Sequence, residues 1–168
     1  MHSKSRDKVH TTRQVGGFTL IELIVVIIVL SILAATALPR FANLQVQARV
    51  AKLNAALGAV KGAASLAKAT CLAQTPQCTG TVPMEGVNVT MVNTYPTADA
   101  AGIITAAGLV VGPASPDGYN IQGGGAAAGT PLTIMVLGND SPNCSFTYTS
   151  PISASQAPVY GLLVTSGC

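Results

Sequence analysis

One carboxylate stands inside a long apolar run near the start of this 168-residue chain. The stretch "GGFTLIELIVV" at residues 16 to 26 contains Glu22 and no other charged side chain. An ionised side chain at the depth of a lipid bilayer costs several kcal/mol, so such a residue is normally either paired or functional. We therefore expect Glu22 to have a function that a plain membrane anchor does not need.

No catalytic or metal-binding group of residues accompanies this carboxylate. The later carboxylates are scattered without paired spacing, at Glu85, Asp99, Asp117 and Asp140. Both histidines, His2 and His10, precede the apolar run, so no base for a Ser-His-Asp or Cys-His nucleophile follows it. The spacing of Cys71 and Cys78 fits no zinc pattern. The sequence therefore predicts no enzymatic activity, no metal and no cofactor.

The apolar run is long enough to cross a membrane. Residues 18 to 38 contain Thr19, Ser31 and Thr36 as their only uncharged polar side chains. At a rise of about 1.5 Å per residue, a helix of this length spans a hydrocarbon core of about 30 Å. The composition agrees, because 49% hydrophobic residues and a mean hydropathy of +0.49 are high for a soluble protein.

Positive charge is concentrated before this run. Four cations against the single carboxylate Asp7 give the segment up to Gly17 a net charge of +3. These cations are Lys4, Arg6, Lys8 and Arg13. A basic segment of this kind stays on the cytoplasmic side of a membrane. The side chains after Gly17 sum to zero charge, which predicts no nucleic-acid partner.

Two simpler interpretations of the N-terminus are open. Residues 35 to 37, Ala-Thr-Ala, fit the cleavage site of a secretory signal peptide, which would release a soluble protein beginning at Leu38. The apolar run is longer than the usual about 7 to 15 residues of such a peptide and contains Glu22, which disfavours this interpretation. An uncleaved membrane anchor is the second interpretation, and it leaves Glu22 unexplained.

Gly17 and the segment "FTLIELIVVIIVLSILAATALPRF" that follows it resemble the prepilin motif of bacterial type IV pilins and of the related type II secretion pseudopilins. The resemblance implies that a prepilin peptidase cuts between Gly17 and Phe18 on the cytoplasmic side. It implies further that Phe18 is then N-methylated and that Glu22 acts in filament assembly.

The same resemblance implies a domain organisation and a set of partners. Residues 1 to 17 would be the cleaved leader, 18 to 39 the transmembrane and filament-core helix, and 40 to 168 an amphipathic helix with a globular β head. The expected partners are identical subunits in a helical filament, the prepilin peptidase and methyltransferase, and the pilus assembly machinery of the inner membrane. The precursor would lie in the inner membrane and the processed chain in an extracellular pilus, or fimbrium.

A physical role for Glu22 follows from this resemblance. Cleavage would create a positive α-amino group at Phe18 that is itself poorly solvated at the membrane. If Glu22 of one subunit meets the Phe18 amine of a neighbour, their attraction offsets the desolvation cost of both charges. A wrongly staggered subunit would keep an unpaired charge, so Glu22 would specify the register between subunits.

Related functions stay open beside that of a major pilin. The N-terminal motif is shared by pseudopilins and by minor pilins, and the secreted soluble protein is a third alternative. The stretch "PRFANLQVQARVAKLNAALGAVKGA" is similar to pilins of the mannose-sensitive haemagglutinin type, which implies adhesion.

The helix is expected to continue beyond the membrane segment over about residues 40 to 70. Apolar residues recur there at alternating spacings of four and three, at Val46, Val50, Leu53, Leu57, Val60, Ala64 and Ala67. The opposite face is predicted to be polar, with Gln45, Gln47, Arg49, Lys52, Asn54 and Lys61. Pro39 removes a helical hydrogen bond and predicts a bend. Gly58 and Gly62 are expected to loosen the helix or to pack closely against the head.

An antiparallel meander is predicted after this helix. Its strands are the runs at 87 to 93, 131 to 138, 144 to 149 and 158 to 166. Thr97 is a possible N-cap of a short helix before the second run, and the glycine-rich residues 122 to 130 predict a surface loop. The predicted fold class is α+β, with a long N-terminal helix packed on a small antiparallel sheet, as in type IV pilins.

All four cysteines lie on the predicted exported side of the membrane segment, where disulfides persist. Three pairings are possible. We favour Cys71 with Cys78, which closes a short loop, and Cys144 with Cys168, which ties the last segment to the third strand. A C-terminal loop bounded by a disulfide is similar to that of type IV pilins, and its presence argues against a pseudopilin.

Overall fold

The computed structural model describes residues 17 to 74, 80 to 138 and 141 to 168. Within these ranges one long helix is followed by seven short strands, in the order α1 Leu20–Gln74, β1 Gly80–Met84, β2 Val87–Val92, β3 Tyr95–Pro96, β4 Tyr119–Gly123, β5 Pro131–Val136, β6 Ser145–Thr149 and β7 Val159–Tyr160. A short helix, Ala100–Ile104, lies between β3 and β4, and one helical turn, Ser141–Asn143, lies between β5 and β6. The predicted α+β class is confirmed.

The chain forms two compact units that divide between Phe41 and Ala42. In the first unit, Leu20–Ala37 is apolar enough to cross a membrane, with a mean hydropathy of 2.8 and no part of it buried within the chain. Helical conformation continues through Pro39, and the bend expected there stays a prediction. The second unit, from Ala42 onward, is called the head below.

Two hydroxyl side chains inside the apolar helix are satisfied by the helix itself. Ser31 donates to the carbonyl of Ile27 at 2.6 Å, and Thr36 donates to the carbonyl of Leu33 at 3.0 Å. An unsatisfied polar group in hydrocarbon costs several kcal/mol. These local bonds therefore make both residues compatible with a lipid environment.

In the head, α1 packs an apolar stripe against the sheets. Its buried members are Leu53, Ala56, Val60, Ala63, Ala64, Ala67 and Cys71. Val50 and Leu57 are partly buried and pack against the same core. The predicted stripe is confirmed from Val50 onward. Val46 is 43% exposed and lies outside the core, contrary to the prediction.

Strands β4 to β7 form a four-stranded antiparallel sheet in chain order, so the predicted meander is confirmed for this sheet. The predicted last strand is shorter than expected, because β7 is followed only by an isolated bridge between Ser145 and Val164. Strand β4 was not predicted. Only Tyr119 of this strand is buried, and the strand ends in glycine, so it lacks the alternating apolar pattern of a half-buried strand.

Strands β1 to β3 form a separate three-stranded antiparallel sheet, so the prediction of one meander that includes β2 is wrong. Two-residue turns at Glu85-Gly86 and Asn93-Thr94 join these strands, and all four turn residues have positive φ. Such turns match the twist of the strands and pair neighbours in sequence. Strand β1 was not predicted because it contains Pro83, and proline is uncommon inside strands.

The short helix at residues 100 to 104 is capped by Asp99, and the prediction of Thr97 as its N-cap is wrong. One Asp99 oxygen accepts from the backbone N–H of Gly102 at 2.7 Å and from the Thr97 hydroxyl at 2.8 Å. Aspartate is the better cap of the two, since its carboxylate also meets the positive end of the helix. Thr97 instead fills the space at Gly102, where an added Cβ would collide with it.

Two clusters of buried side chains hold α1 to the sheets. The cluster that includes the four-stranded sheet contains, among others, Leu53, Val60, Leu132, Ile134, Phe146 and Tyr148. The cluster at the three-stranded sheet contains Ala67, Cys71, Val82, Met84, Val89 and Met91. Burial of each large apolar side chain stabilises the head by about 1.5 to 3 kcal/mol. Successive turns of α1 therefore contribute to both clusters.

Cys144, immediately before β6, forms a disulfide with Cys168, with an S–S distance of 2.05 Å. This predicted pairing is confirmed. Arg49 of α1 donates to the Cys168 carbonyl at 3.0 Å, so the segment closed by the disulfide also contacts the helix. Cys71 is buried and disulfide-bonded. Its expected partner, Cys78, lies outside the described residues, so that pairing stays a prediction.

We expect Cys144→Ser to lower the free energy of unfolding by about 3 kcal/mol, because the unfolded chain is no longer constrained by a closed segment of this length. Replacing both Cys144 and Cys168 by serine should cost about as much as the single change, since the same bond is lost. Urea unfolding of the purified chain in detergent under non-reducing conditions measures both variants. Unchanged unfolding of Cys144→Ser would contradict this role.

Candidate functional site

The helix α1 begins at a cap formed by Thr19. The Thr19 hydroxyl accepts from the backbone N–H of Glu22 at 3.3 Å, and the Thr19 carbonyl accepts from the N–H of Leu23 at 3.3 Å. Thr19 and Glu22 have the Thr-x-x-Glu spacing of a capping box. This helix start was missed from the sequence, although the pattern before an apolar run is visible there.

Glu22 lies exposed in the first turn of α1, where the positive end of the helix dipole favours a carboxylate. That contribution is about 0.3 to 1 kcal/mol, whereas a charge at bilayer depth costs several kcal/mol. The residues on either side offer no compensation, since Ile21 is 70% and Leu23 61% exposed and both are apolar. The helix start therefore accounts for part of the placement of Glu22, and it is too small to offset the cost of a charge at bilayer depth.

Gly17 and Phe18 precede the helix and are exposed. An added Cβ at Gly17 would meet no atom within 4 Å, and its backbone is not in the left-handed region that favours glycine. The fold thus has no need of glycine at this position. Cleavage after Gly17, methylation of Phe18 and pairing of Glu22 with a neighbour's Phe18 amine stay predictions.

A second stripe of α1 lies on the side away from the sheets, and we call it the outward stripe. Its members, all exposed, are Leu44, Ala48, Ala51, Ala55, Gly58, Gly62, Ser65, Ala69 and Leu72. They recur at alternating spacings of four and three, which is the spacing of a helix-packing seam. Most of them are small, which allows a second helix backbone to approach closely.

The outward stripe is almost free of nearby charge. The predicted polar face is confirmed in part, because four of its six residues are exposed, namely Gln45, Gln47, Asn54 and Lys61. Between its ends, Lys61 is the only charged residue among the exposed ones. Arg49 and Lys52 are half-buried and contact the head. The expected packing of Gly58 and Gly62 against the head is wrong, because an added Cβ at either would meet no atom within 4 Å.

Comparison with known proteins identifies the class of the N-terminal segment. Residues 12 to 38 match the family described as the prokaryotic N-terminal methylation motif. The match contains Gly17, Phe18 and Glu22 and extends over the apolar run. The N-terminal segment of this chain therefore resembles that of type IV prepilins.

A more particular similarity is to the type IV narrow pilus major component PilA5 of Thermus thermophilus, with 49% identity over 51 residues. The match covers 30% of this chain and 44% of the relative, so the chain spans less than half of the relative's length. No solved structure matches this chain. The resemblance to type IV pilins is confirmed, and the N-terminal part of the chain carries it.

We expect the processed chain to begin at Phe18 and to carry one extra methyl group on its α-amine. Intact-mass measurement and N-terminal sequencing of the protein sheared from cells test both points. A terminus at Met1 or at Leu38 would contradict the prediction.

Gly17→Leu should remain uncleaved, although the open space around Gly17 predicts no effect on the fold. Gly17→Ala is the matched control and should retain more cleavage, because it adds a single carbon atom. The ratio of precursor to processed chain on an immunoblot measures the difference. Normal processing of Gly17→Leu would argue against cleavage at this bond.

Proposed function

We propose that this chain is the major structural subunit of a type IV pilus, which polymerises through α1 into a surface filament for adhesion or motility. The precursor is held in the inner membrane, a prepilin peptidase removes residues 1 to 17, and the amine of Phe18 is methylated. Copies of the same chain and the pilus assembly machinery are the partners. The filament is extracellular, with the disulfide-tied heads facing solvent.

The observation that supports this proposal is the apolar span Leu20–Ala37 of α1. No part of it is buried within the chain, and it contains one carboxylate within the matched methylation motif. Each Å² of apolar surface removed from water is worth about 25 cal/mol, so this helix requires lipid or other helices around it. Copies of the same helix can surround it once the subunit leaves the membrane. The matched motif supports this change from lipid to helix contacts.

The outward stripe supports the same proposal within the head. A face without charge meets no like-charge repulsion from its own copy, whereas a typical surface helix carries charges on that side. Small residues such as Ala51, Ala55 and Gly58 let a second helix come close. We therefore assign this stripe to contacts with α1 of neighbouring subunits.

A type II secretion pseudopilin or a minor pilin would share the N-terminal segment. The Cys144–Cys168 disulfide favours a pilin by resemblance, and the matched relative is itself named as a major pilus component. Abundant sheared filaments built from this chain would support a major pilin. Loss of exoprotein secretion after deletion of its gene, with no loss of filaments, would support a pseudopilin instead.

Glu22→Val should give a chain that is inserted and cleaved normally but builds few or no filaments. Valine is better tolerated than a carboxylate in the lone membrane-embedded subunit. In the filament it leaves a neighbour's Phe18 amine unpaired, and removal of one partner from a buried ion pair costs about 3 to 5 kcal/mol. Sheared surface pilin, compared with membrane pilin on an immunoblot, measures the effect.

Glu22→Asp is the control for this variant, because it keeps the charge and shortens the side chain by one methylene group. We expect an intermediate filament yield from it. A wild-type yield from Glu22→Val would show that the carboxylate is not the assembly contact.

Ala51→Glu should reduce filament yield at least severalfold without destabilising the head. Ala51 is exposed, and surface substitutions usually change the free energy of unfolding by no more than about 0.5 kcal/mol. In a filament, the same carboxylate would be buried against a neighbouring helix. Ala126→Glu, on an exposed residue between β4 and β5, is the matched control. Equal filament yields from both variants would contradict the role of the outward stripe.

A further inference from the structure

Every lysine after the apolar run lies over a tyrosine ring of the head. The pairs, measured from Nζ to the ring centroid, are Lys52 with Tyr119 at 4.7 Å, Lys61 with Tyr160 at 5.4 Å and Lys68 with Tyr95 at 4.6 Å. All three are within the about 6 Å range of cation–π attraction. Such pairs occur about once per 70 to 80 residues in proteins, so three from one helical segment is a marked concentration.

The three tyrosines are distributed over both sheets. Tyr119 belongs to β4 and Tyr160 to β7, which are the two edge strands of the four-stranded sheet, and Tyr95 belongs to β3 of the other sheet. Lys52 and Lys61 are about two and a half helical turns apart, so they leave α1 on opposite sides. The pairs therefore hold α1 at both edges of one sheet and at one strand of the other.

Two of the pairs include a hydrogen bond. The Tyr119 hydroxyl donates to the backbone carbonyl of Lys52 at 3.2 Å. The Nζ of Lys68 donates to the Tyr95 hydroxyl at 3.1 Å. Lys52 is thus held to Tyr119 through both its backbone and its side chain, which limits rotation of α1 about its axis, whereas the single Nζ of Lys68 makes both contacts with Tyr95.

The rings act as neutral aromatic partners. Burial, with a smaller effect from Tyr95, raises the pKa of Tyr160 to about 12. Burial, with a smaller effect from Asp117, also raises the pKa of Tyr119 above its ordinary value. Tyr160 is further supported by Tyr148, whose ring centroid lies 5.8 Å away.

The core beneath this part of α1 has Leu53 and Val60 as its larger buried helix side chains, and the other buried helix residues are small. Its buried side chains there are largely alanines, at positions 56, 63, 64 and 67. Small side chains interdigitate shallowly, so they fix the position of a helix on a sheet less strongly than large ones do. The lysines add contact area that the alanines cannot provide, because their long stems cover apolar surface while their ammonium groups stay at the edge of the sheet.

We propose that Lys52, Lys61 and Lys68 form a three-point clamp that fixes α1 in one position on the two sheets and so determines the direction of the outward stripe. The clamp is a property of the single folded chain. Its consequence for filaments rests on the proposed function. Each lysine is a positioning residue, which acts on the subunit contact through the placement of the helix.

A double-mutant cycle on the full chain in detergent micelles tests the clamp. Lys52→Met keeps the apolar stem and removes the charge, and Tyr119→Leu removes the ring. We expect the effects on the urea-unfolding equilibrium constant to be coupled by about two- to fivefold, the range of a partly exposed cation–π pair. The matched control combines Lys52→Met with Tyr160→Leu, two residues from different pairs, and should show additive effects.

A spectroscopic readout separates ring contact from general destabilisation. The Hε protons of Lys52 should be shifted upfield by the ring current of Tyr119 in the NMR spectrum of the micelle-bound chain. Tyr119→Phe should keep this shift, because it keeps the ring, and Tyr119→Leu should abolish it. Additive energies for the true pair together with an unshifted Lys52 signal would overturn the clamp.

The filament consequence is tested separately, with all three lysines changed together. Methionine at the three positions should lower the ratio of sheared to membrane pilin several-fold, and arginine at the same positions should restore it, since arginine also stacks on aromatic rings. A normal ratio for the methionine variant, with coupling present in micelles, would overturn the link to the outward stripe. Absence of filaments from the wild-type chain would instead refute the proposed function, and the micelle measurements would still decide the clamp.

Discussion

The structure depends on one constraint, which is that α1 is poor in charge on two opposite sides. A helix at a protein surface normally faces water with charged residues. In the head, the inner side of α1 has Leu53 and Val60 buried against the sheets, and the outer side has Ala51 and Gly58 exposed. The sheets cover only the inner side of α1. In the proposed filament, contact with further copies of the helix would cover the outer side, so folding and polymerisation would satisfy the same constraint on two sides of α1.

This arrangement leaves few places for the cations of the helix. A lysine on the outer side would oppose contact between copies, and an unpaired lysine on the inner side would be desolvated at a cost of several kcal/mol. The boundary between the sides avoids both costs. Lys52, Lys61 and Lys68 occupy that boundary and end over tyrosine rings, and Arg49 reaches the Cys168 carbonyl. The same few turns of α1 can therefore carry cations, pack against the core and present an uncharged outer face.

The elements that could be predicted best from the sequence are those that a local pattern of residues determines. The apolar length of α1, its inner stripe from Val50 onward and the meander of β4 to β7 follow from hydrophobic period and turns, although β4 itself was hidden by its polar and glycine residues. The three-stranded sheet was missed because Pro83 obscured β1 and because β2 by itself does not show which strands it pairs with. The outward stripe was missed because alanine and glycine contribute little to a hydrophobic period, and long cationic side chains were assigned to solvent although their stems bend back over the head.

Glu22 contributes to the start of its own helix, and in the proposed filament it would also pair with another chain. The two free-energy contributions differ in size. Within the chain it completes the Thr-x-x-Glu helix start, a contribution of about 1 kcal/mol or less. Pairing with the amine of its own Phe18 would need both residues on one helical turn, but α1 begins only at Leu20, and Phe18 lies outside it. Within the part of the chain that the structure describes, there is thus a small reason to place a carboxylate here and no cation paired with it. Under the proposed function, the larger desolvation cost would be offset when the charge meets an amine on another chain, which would tie the stability of this carboxylate to correct assembly.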